Sequence, residues 1–125
     1  MEKVIYKSEV YQIVGICMEV YNTPGYGFAE VVYKDAMELE FLEKEINCLR
    51  EDEQQINYKG QLLKHSFFSD FTINQNIIIE VKSSKDGITD EHLAQTLNYL
   101  KASGVKLGLI VNFGKTSLEY KRLIY

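Results

Sequence analysis

The sequence predicts a mixed α/β fold, a central sheet with helices packed on it. Three observations lead there. Residues Asp70 to Lys82 carry two apolar, β-branched runs around the turn-forming cluster Asn74 to Asn76, the pattern of a β-hairpin. Leu107 to Phe113 is an apolar run without alternation, as expected of a central strand covered on both faces. The order strand, helix, strand across residues 77 to 113 implies a right-handed parallel crossover.

The chain has 125 residues, enough for one domain over 1–125 with a real core and too few for two ordinary ones. Hydrophobic residues make up 46% and charged residues 26%, so a soluble globular protein is expected and a disordered one is not. No apolar run approaches the roughly 20 residues that cross a bilayer. Met1 to Lys7 lacks the apolar region of a signal peptide, so a cytoplasmic location and no membrane association are expected. The formal net charge of −4 argues against non-specific nucleic-acid binding through overall charge. A local basic groove built from Lys59, Lys64, Lys82, Lys85, Lys101 and Lys106 stays compatible with it. Cys17 and Cys48 are far apart, with no CxxC, and read as core-filling thiols. His65 and His92 are isolated and give no zinc signature.

Taken in order, the first helix is expected from Ser8 to Tyr21. Val10, Ile13, Val14, Cys17, Met18 and Tyr21 form one apolar stripe, and Ser8 is the expected N-cap. Asn22 to Gly25, with the only proline at Pro24, breaks it. A second helix is expected from Gly27 to Glu45. One face carries Phe28, Val32, Leu39, Leu42 and Ile46, and a second stripe carries Glu30, Tyr33, Met37 and Phe41. Apolar residues on two sides predict packing on two sides. Glu30 in such a stripe seeks a cation, a hydrogen bond or a metal; equally, an acid at a helix N-terminus is favoured by the dipole alone.

Glu53 to Tyr58 reads as a short strand with Ile56 and Tyr58 on one side, followed by a turn at Tyr58 to Gln61. Leu62 to Ile73 reads as a long strand. Leu63, Phe67, Phe71 and Ile73 are its expected core-facing set, and Phe68, Asp70 and Thr72 share the other face. After a loop at Ser83 to Gly87, Thr89 or Asp90 caps a helix running to Ser103, closed by Gly104. Leu93, Leu97 and Leu100 form its core stripe, with His92, Gln95 and Tyr99 on a different side. Leu118 to Tyr125 is expected as an edge strand.

The candidate chemistry lies in the hairpin. A three-residue loop at Asn74 to Asn76 sets Ile73 opposite Ile77, and the same register sets Asp70 opposite Glu80. Opposed side chains have Cβ atoms about 4.5–5.5 Å apart, and opposed like charges destabilise a sheet pair. A hard divalent cation with oxygen ligands removes that repulsion. Lys82 shares its face with Glu80 and is suited to stabilise developing charge or orient an attacking water. The simpler alternative is an exposed hairpin with ordinary surface charges, which the hairpin alone favours. Gln95 and Tyr99, four apart, are neighbours suited to phosphate or base contact and equally ordinary on a solvated face.

Asp70, then Glu80-Val81-Lys82, then Gln95-xxx-Tyr99 after a helix cap, resembles the PD-(D/E)XK nuclease superfamily. Gly27-Phe-Ala-Glu30-Val-Val-Tyr33 resembles the signature of one of its branches, the GxxExxY proteins. The similarity runs from the first helix to Lys121-Arg122, and the four pieces in order are far more specific than the ExK triplet alone. It implies a restriction-endonuclease-like α-β-β-β-α-β core with a mixed sheet, preceded by an N-terminal helix and ending in an edge strand. It implies that Asp70, Glu80 and the Val81 carbonyl hold Mg²⁺ or Mn²⁺ and that Lys82 is the catalytic lysine. By the same resemblance Glu30 joins the metal shell directly or through water, and Gln95 and Tyr99 order site and substrate. Ser69 stands where the superfamily name has proline, at a loosely kept position. With the resemblance added, a metal site outweighs the surface-charge alternative.

The expected function is metal-dependent hydrolysis of nucleic-acid phosphodiesters, DNA before RNA. The competing expectation is a non-catalytic interaction or nucleic-acid-binding module that keeps the fold. A small nuclease covers few base pairs alone, so a homodimer through the first helix or the C-terminal strand is expected.

Overall fold

A computed structural model describes residues 5–125; the first four residues of the segment read above for a signal peptide lie outside it. The element order is α1 (Lys7–Asn22), α2 (Glu30–Glu43), β1 (Cys48–Tyr58), β2 (Gln61–Ile73), β3 (Ile77–Lys82), α3 (Asp90–Ser103), β4 (Leu107–Asn112) and β5 (Glu119–Ile124). The five strands form one sheet in sequence order. All neighbours are antiparallel except β3 and β4, which run parallel through the α3 crossover. This is the mixed α/β sheet the sequence predicts.

The sheet is the middle of three layers. Ile77, Ile79 and Val81 of β3 and Leu107, Leu109 and Val111 of β4 face a core shared with Val10, Ile13, Ile16, Cys17 and Val20 of α1 and Tyr33, Met37 and Phe41 of α2. The alternate β3 and β4 residues turn to α3. A side chain added at Gly108 would meet the Thr96 and Leu100 side chains at 2.9 and 3.4 Å, so that helix lies directly on the strand. Burial on both faces explains why β4 reads as an unbroken apolar run.

Several local expectations are corrected. The cap of α1 is Tyr6, left-handed and without a side-chain bond, not Ser8, and Met18 is exposed. α2 is shorter than expected because Ala29 is extended and Glu45 has φ +55. Its core face is the Tyr33, Met37, Phe41 stripe. Val32, Leu39 and Leu42 are exposed, so this helix packs on one side only. β1 begins at Cys48, five residues before the expected start. On β2, Leu63 is exposed, and Phe67 and Phe71 lie against opposite layers: Phe67 stacks on Tyr99 of α3 at 3.9 Å, while Phe71 meets Phe41 of α2 edge-on at 5.3 Å. On α3, Leu93 and Leu97 are only half-buried, and Thr96 joins Leu100 in the core.

Other readings hold. Lys59 and Gly60, both at positive φ, make the two-residue turn between β1 and β2. Ile73 pairs with Ile77 around Asn74 to Asn76. Thr89 caps α3 by a reciprocal pair of bonds with His92, and Gly104 ends it at φ +78. Cys17 and Cys48 are free, and burial pushes the Cys17 thiol up to about 12, leaving it an inert core group.

Candidate active site

Between Ser69 and Thr72 the alternation of β2 changes phase. Thr72 pairs with Ile78, whose side chain faces α3, and Ser69 Oγ hydrogen-bonds Thr72 Oγ1 at 2.8 Å although three positions separate them. On the partner strand Glu51 takes φ +53, a left-handed conformation that non-glycine residues rarely adopt. Asp70 lies within this irregularity. Its neighbours no longer constrain its carboxylate to one face of the sheet.

The backbone ladder between β2 and β3 ends at Phe71 and Ile79. Side chains take over its hydrogen bonds. Asp70 N–H donates to Glu80 Oε2 at 3.0 Å, and Val81 N–H donates to Asp70 Oδ2 at 2.7 Å. The two acids are thereby held side by side, as the hairpin register predicts. Asp70 Oδ1 accepts from Lys34 Nζ at 3.0 Å, and Lys34 also pairs with Glu51. Lys34 is buried, while Glu51 is half-exposed.

Glu80 is only 6% exposed. Burial first, and then the charge of Asp70, pushes its carboxyl up to about 8. The buried Glu80 carboxyl beside the half-buried Asp70 carboxylate, linked through backbone N–H groups, forms an oxygen donor pair suited to a hard divalent cation. The fit is to a pair of acids. Among the described residues no three His, Cys, Asp or Glu side chains gather closely enough to hold a metal ion. Glu30 therefore stands apart, exposed at the first position of α2. Lys82 ends β3 on the Glu80 face, half-buried, and its charge acts to lower the Glu80 carboxyl.

α3 supplies the far wall. Gln95 Nε2 donates to Tyr99 Oη at 2.8 Å. Burial raises the Tyr99 phenol, and so do the charges of Glu80 and Asp70. Phe67 stacks nearly parallel on that ring, at 7°.

The Gly27 to Tyr33 segment is the scaffold for α2. Gly27, at φ +90, donates to the Phe113 carbonyl at 3.2 Å. Tyr33 is fully buried and stacks on Phe113 at 4.3 Å. Its hydroxyl donates to the Gly25 carbonyl at 2.6 Å and accepts from Phe28 N–H at 3.0 Å. Ser83 Oγ, one residue past Lys82, donates to the Phe28 carbonyl. These bonds fix the start of α2 against the end of β3. Lys34 follows one turn after Glu30.

Sequence reasoning missed Lys34 and Glu51. Lys34 sits in the buried stripe of α2, and a lysine there needs a buried acid, which is a signal. Glu51 carries none, because its role depends on a backbone irregularity.

A family model described as the PD-(D/E)XK nuclease superfamily matches residues 7–123. The chain belongs to the PD-(D/E)XK nuclease superfamily. No curated protein matches it significantly. Among solved structures it is similar to one titled as the crystal structure of SSO0001, with 21% identity and a TM-score of 0.54 over 95% of this chain and 60% of that one. It is also similar to an alkaline exonuclease from Laribacter hongkongensis, with 12% identity and a TM-score of 0.54 over 99% of this chain and 72% of that one. These likenesses show the shared fold. The superfamily member described here thus spans about 60% of the length of the SSO0001 chain. Superfamily nucleases generally use divalent metals.

Proposed function

We propose that this chain is a Mg²⁺- or Mn²⁺-dependent nuclease that hydrolyses phosphodiester bonds of DNA. The observation that carries the reading is the pairing of Asp70 with the buried Glu80, each carboxylate accepting a backbone N–H across the opened end of the β2–β3 ladder, with Lys82 on the same strand as Glu80. Asp70, Glu80 and the Val81 carbonyl are the proposed metal ligands, with Glu30 contributing through water. A divalent cation bound there supplies charge neutralisation at the phosphoryl group and acidification of a water. Lys82 orients that water and offsets charge developing on the phosphate. Tyr99, held by Gln95 and by its stack on Phe67, orders the substrate side. The Gly27 to Tyr33 segment supports a place in the GxxExxY branch.

The test is a cleavage panel of single-stranded, duplex, flap and junction DNA, and RNA, with each metal. Cleavage abolished in Lys82→Ala, with metal binding by calorimetry lost in Asp70→Asn, is the expected result. Cleavage that survives Lys82→Ala removes the assignment of the site.

One observation favours a second reading, a non-catalytic module that keeps the fold. Lys34 already neutralises Asp70, and no third acid joins the pair among the described residues. That reading predicts no cleavage in any arm of the panel.

No helix among the described residues is long and apolar enough to cross a membrane. A cytoplasmic location and one domain over 1–125 complete the proposal. A homodimer would use the groove of about 430 Å³ between α1 and β5, lined by Tyr11, Met18 and Tyr120. A monomer by light scattering at high concentration ends that idea.

A further inference from the structure

We propose that the β1–β2 arm is a nucleic-acid-binding surface that holds the strand leading away from the carboxylate pair. The inference rests on the nuclease reading and extends it to a second contact region.

The arm is a product of the pairing. β3 pairs with β2 only from Phe71 to Ile73, so among the described residues β2 from Gln61 to Asp70 has β1 as its sole partner strand. The two strands leave the sheet as a hairpin whose root is the acid pair. Phe67 ties that root to α3 through its stack on Tyr99. Gln61 to His65 are exposed on both faces of β2, while β1 alternates exposed and half-buried residues, so the outer half of the arm is open in a way that a hairpin serving only to fill a core would not be.

Its chemistry differs from that of the rest of the chain. The protein carries a formal charge of −4, yet no Asp or Glu occurs between Glu53 and Asp70. That stretch holds Lys59, Lys64 and His65 together with the amides Gln54, Gln55, Asn57 and Gln61. Among the described residues neither Lys59 nor Lys64 has an acidic partner. Lys59 instead lies over the exposed Tyr58 ring, 5.4 Å from its centre, and Phe68 is also exposed. Unpaired cations interleaved with aromatic rings and amides, with the acids of the arm confined to Glu51, Asp52 and Glu53 near its root, are complementary to a phosphate backbone with bases to stack.

The dimensions agree. At about 3.4 Å per residue, Lys64 lies about 20 Å along β2 from Asp70, and Gln61 about 30 Å. Successive phosphates of a stacked strand are spaced about 3.4 Å along the axis. The arm therefore spans roughly six to nine nucleotides on one side of the bond to be cut.

The test is binding of fluorescein-labelled single-stranded DNA of 20 and of 5 nucleotides, in EDTA so that nothing is cleaved. Wild type is compared with the Lys59→Gln, Lys64→Gln double variant, whose exposed side chains leave the melting temperature unchanged. The expected result is on the order of tenfold weaker binding of the 20-mer, with a slope of log affinity against log salt shallower by about 1.4, at about 0.7 per single-strand phosphate contact. Binding of the 5-mer does not change. Equal affinity and equal slope for the 20-mer overturn the arm proposal and leave the nuclease reading in place. Wild-type protein that binds neither length also overturns it, and the cleavage panel then decides the nuclease reading separately.

Discussion

Replacing Glu80 by glutamine should make the metal-free protein more stable at alkaline pH. In the folded chain, burial and the neighbouring Asp70 charge push the Glu80 carboxyl from its ordinary 4.5 up to about 8. Between those values the folded protein keeps a proton that the unfolded chain has released. Raising the pH therefore costs the folded state, with a slope approaching 1.4 kcal/mol per pH unit. Over the whole interval the loss is at most about 5 kcal/mol, an upper limit because the proton belongs to the Asp70–Glu80 pair and local relaxation eases the penalty. For a chain of 125 residues, 1 kcal/mol corresponds to about 4 °C in melting temperature. Wild type should thus lose up to about 6 °C per pH unit from pH 5 to 8 on this account. Glu80→Gln keeps an oxygen to accept from Asp70 N–H but has nothing to ionise. The assay is thermal unfolding by circular dichroism, in EDTA, at half-unit steps of pH. The two curves should meet near pH 5 and separate toward pH 8 with the variant above. Saturating Mg²⁺ should reverse the order by stabilising the ionised wild-type pair. Parallel curves in EDTA would refute the argument, because every other titrating group is common to both proteins.

The remaining expectations concern the supports of the site. Lys34→Met leaves the Asp70 and Glu51 carboxylates without their cation and should cost about 2–3 kcal/mol in urea unfolding at pH 7, less than a fully buried pair because Glu51 is half-exposed. Lys34→Arg should recover part of it. Gly114→Ala sets a Cβ 2.3 Å from Ser84 N and 2.5 Å from Ser84 C, which are backbone atoms. It should destabilise by about 3 kcal/mol in the same assay and displace the loop that follows Lys82.

The pairing of the two acids was legible because it follows from loop chemistry. Asn74 and Gln75 accept positive φ, the loop length sets Ile73 against Ile77, and the acids follow by counting. The capping of α3 by Thr89 and the doubly covered β4 were legible for similar local reasons. The packing face of α2 was not. Leu39 and Leu42 are as apolar as Met37 and Phe41, and only the tertiary arrangement decides which pair is buried. The placement of Phe67 failed for a different reason. Strict alternation puts it with Phe71, and the phase change around Asp70 cancels that rule. The Lys34–Glu51–Asp70 bridge depends on the same irregularity and on the left-handed Glu51, neither of which a residue pattern encodes.

The carboxylates at the fork of β2 and β3 also serve as rungs of the sheet. Cutting Asp70 back to alanine would strand the Val81 amide hydrogen and unfasten two strands at once, so lost activity in such a protein would mix chemistry with architecture. Asparagine retains an acceptor for that amide while withdrawing the negative charge. Isosteric amides are therefore the fair inactive controls for this fold, and alanine replacements at the fork should be judged first by whether the hairpin still closes.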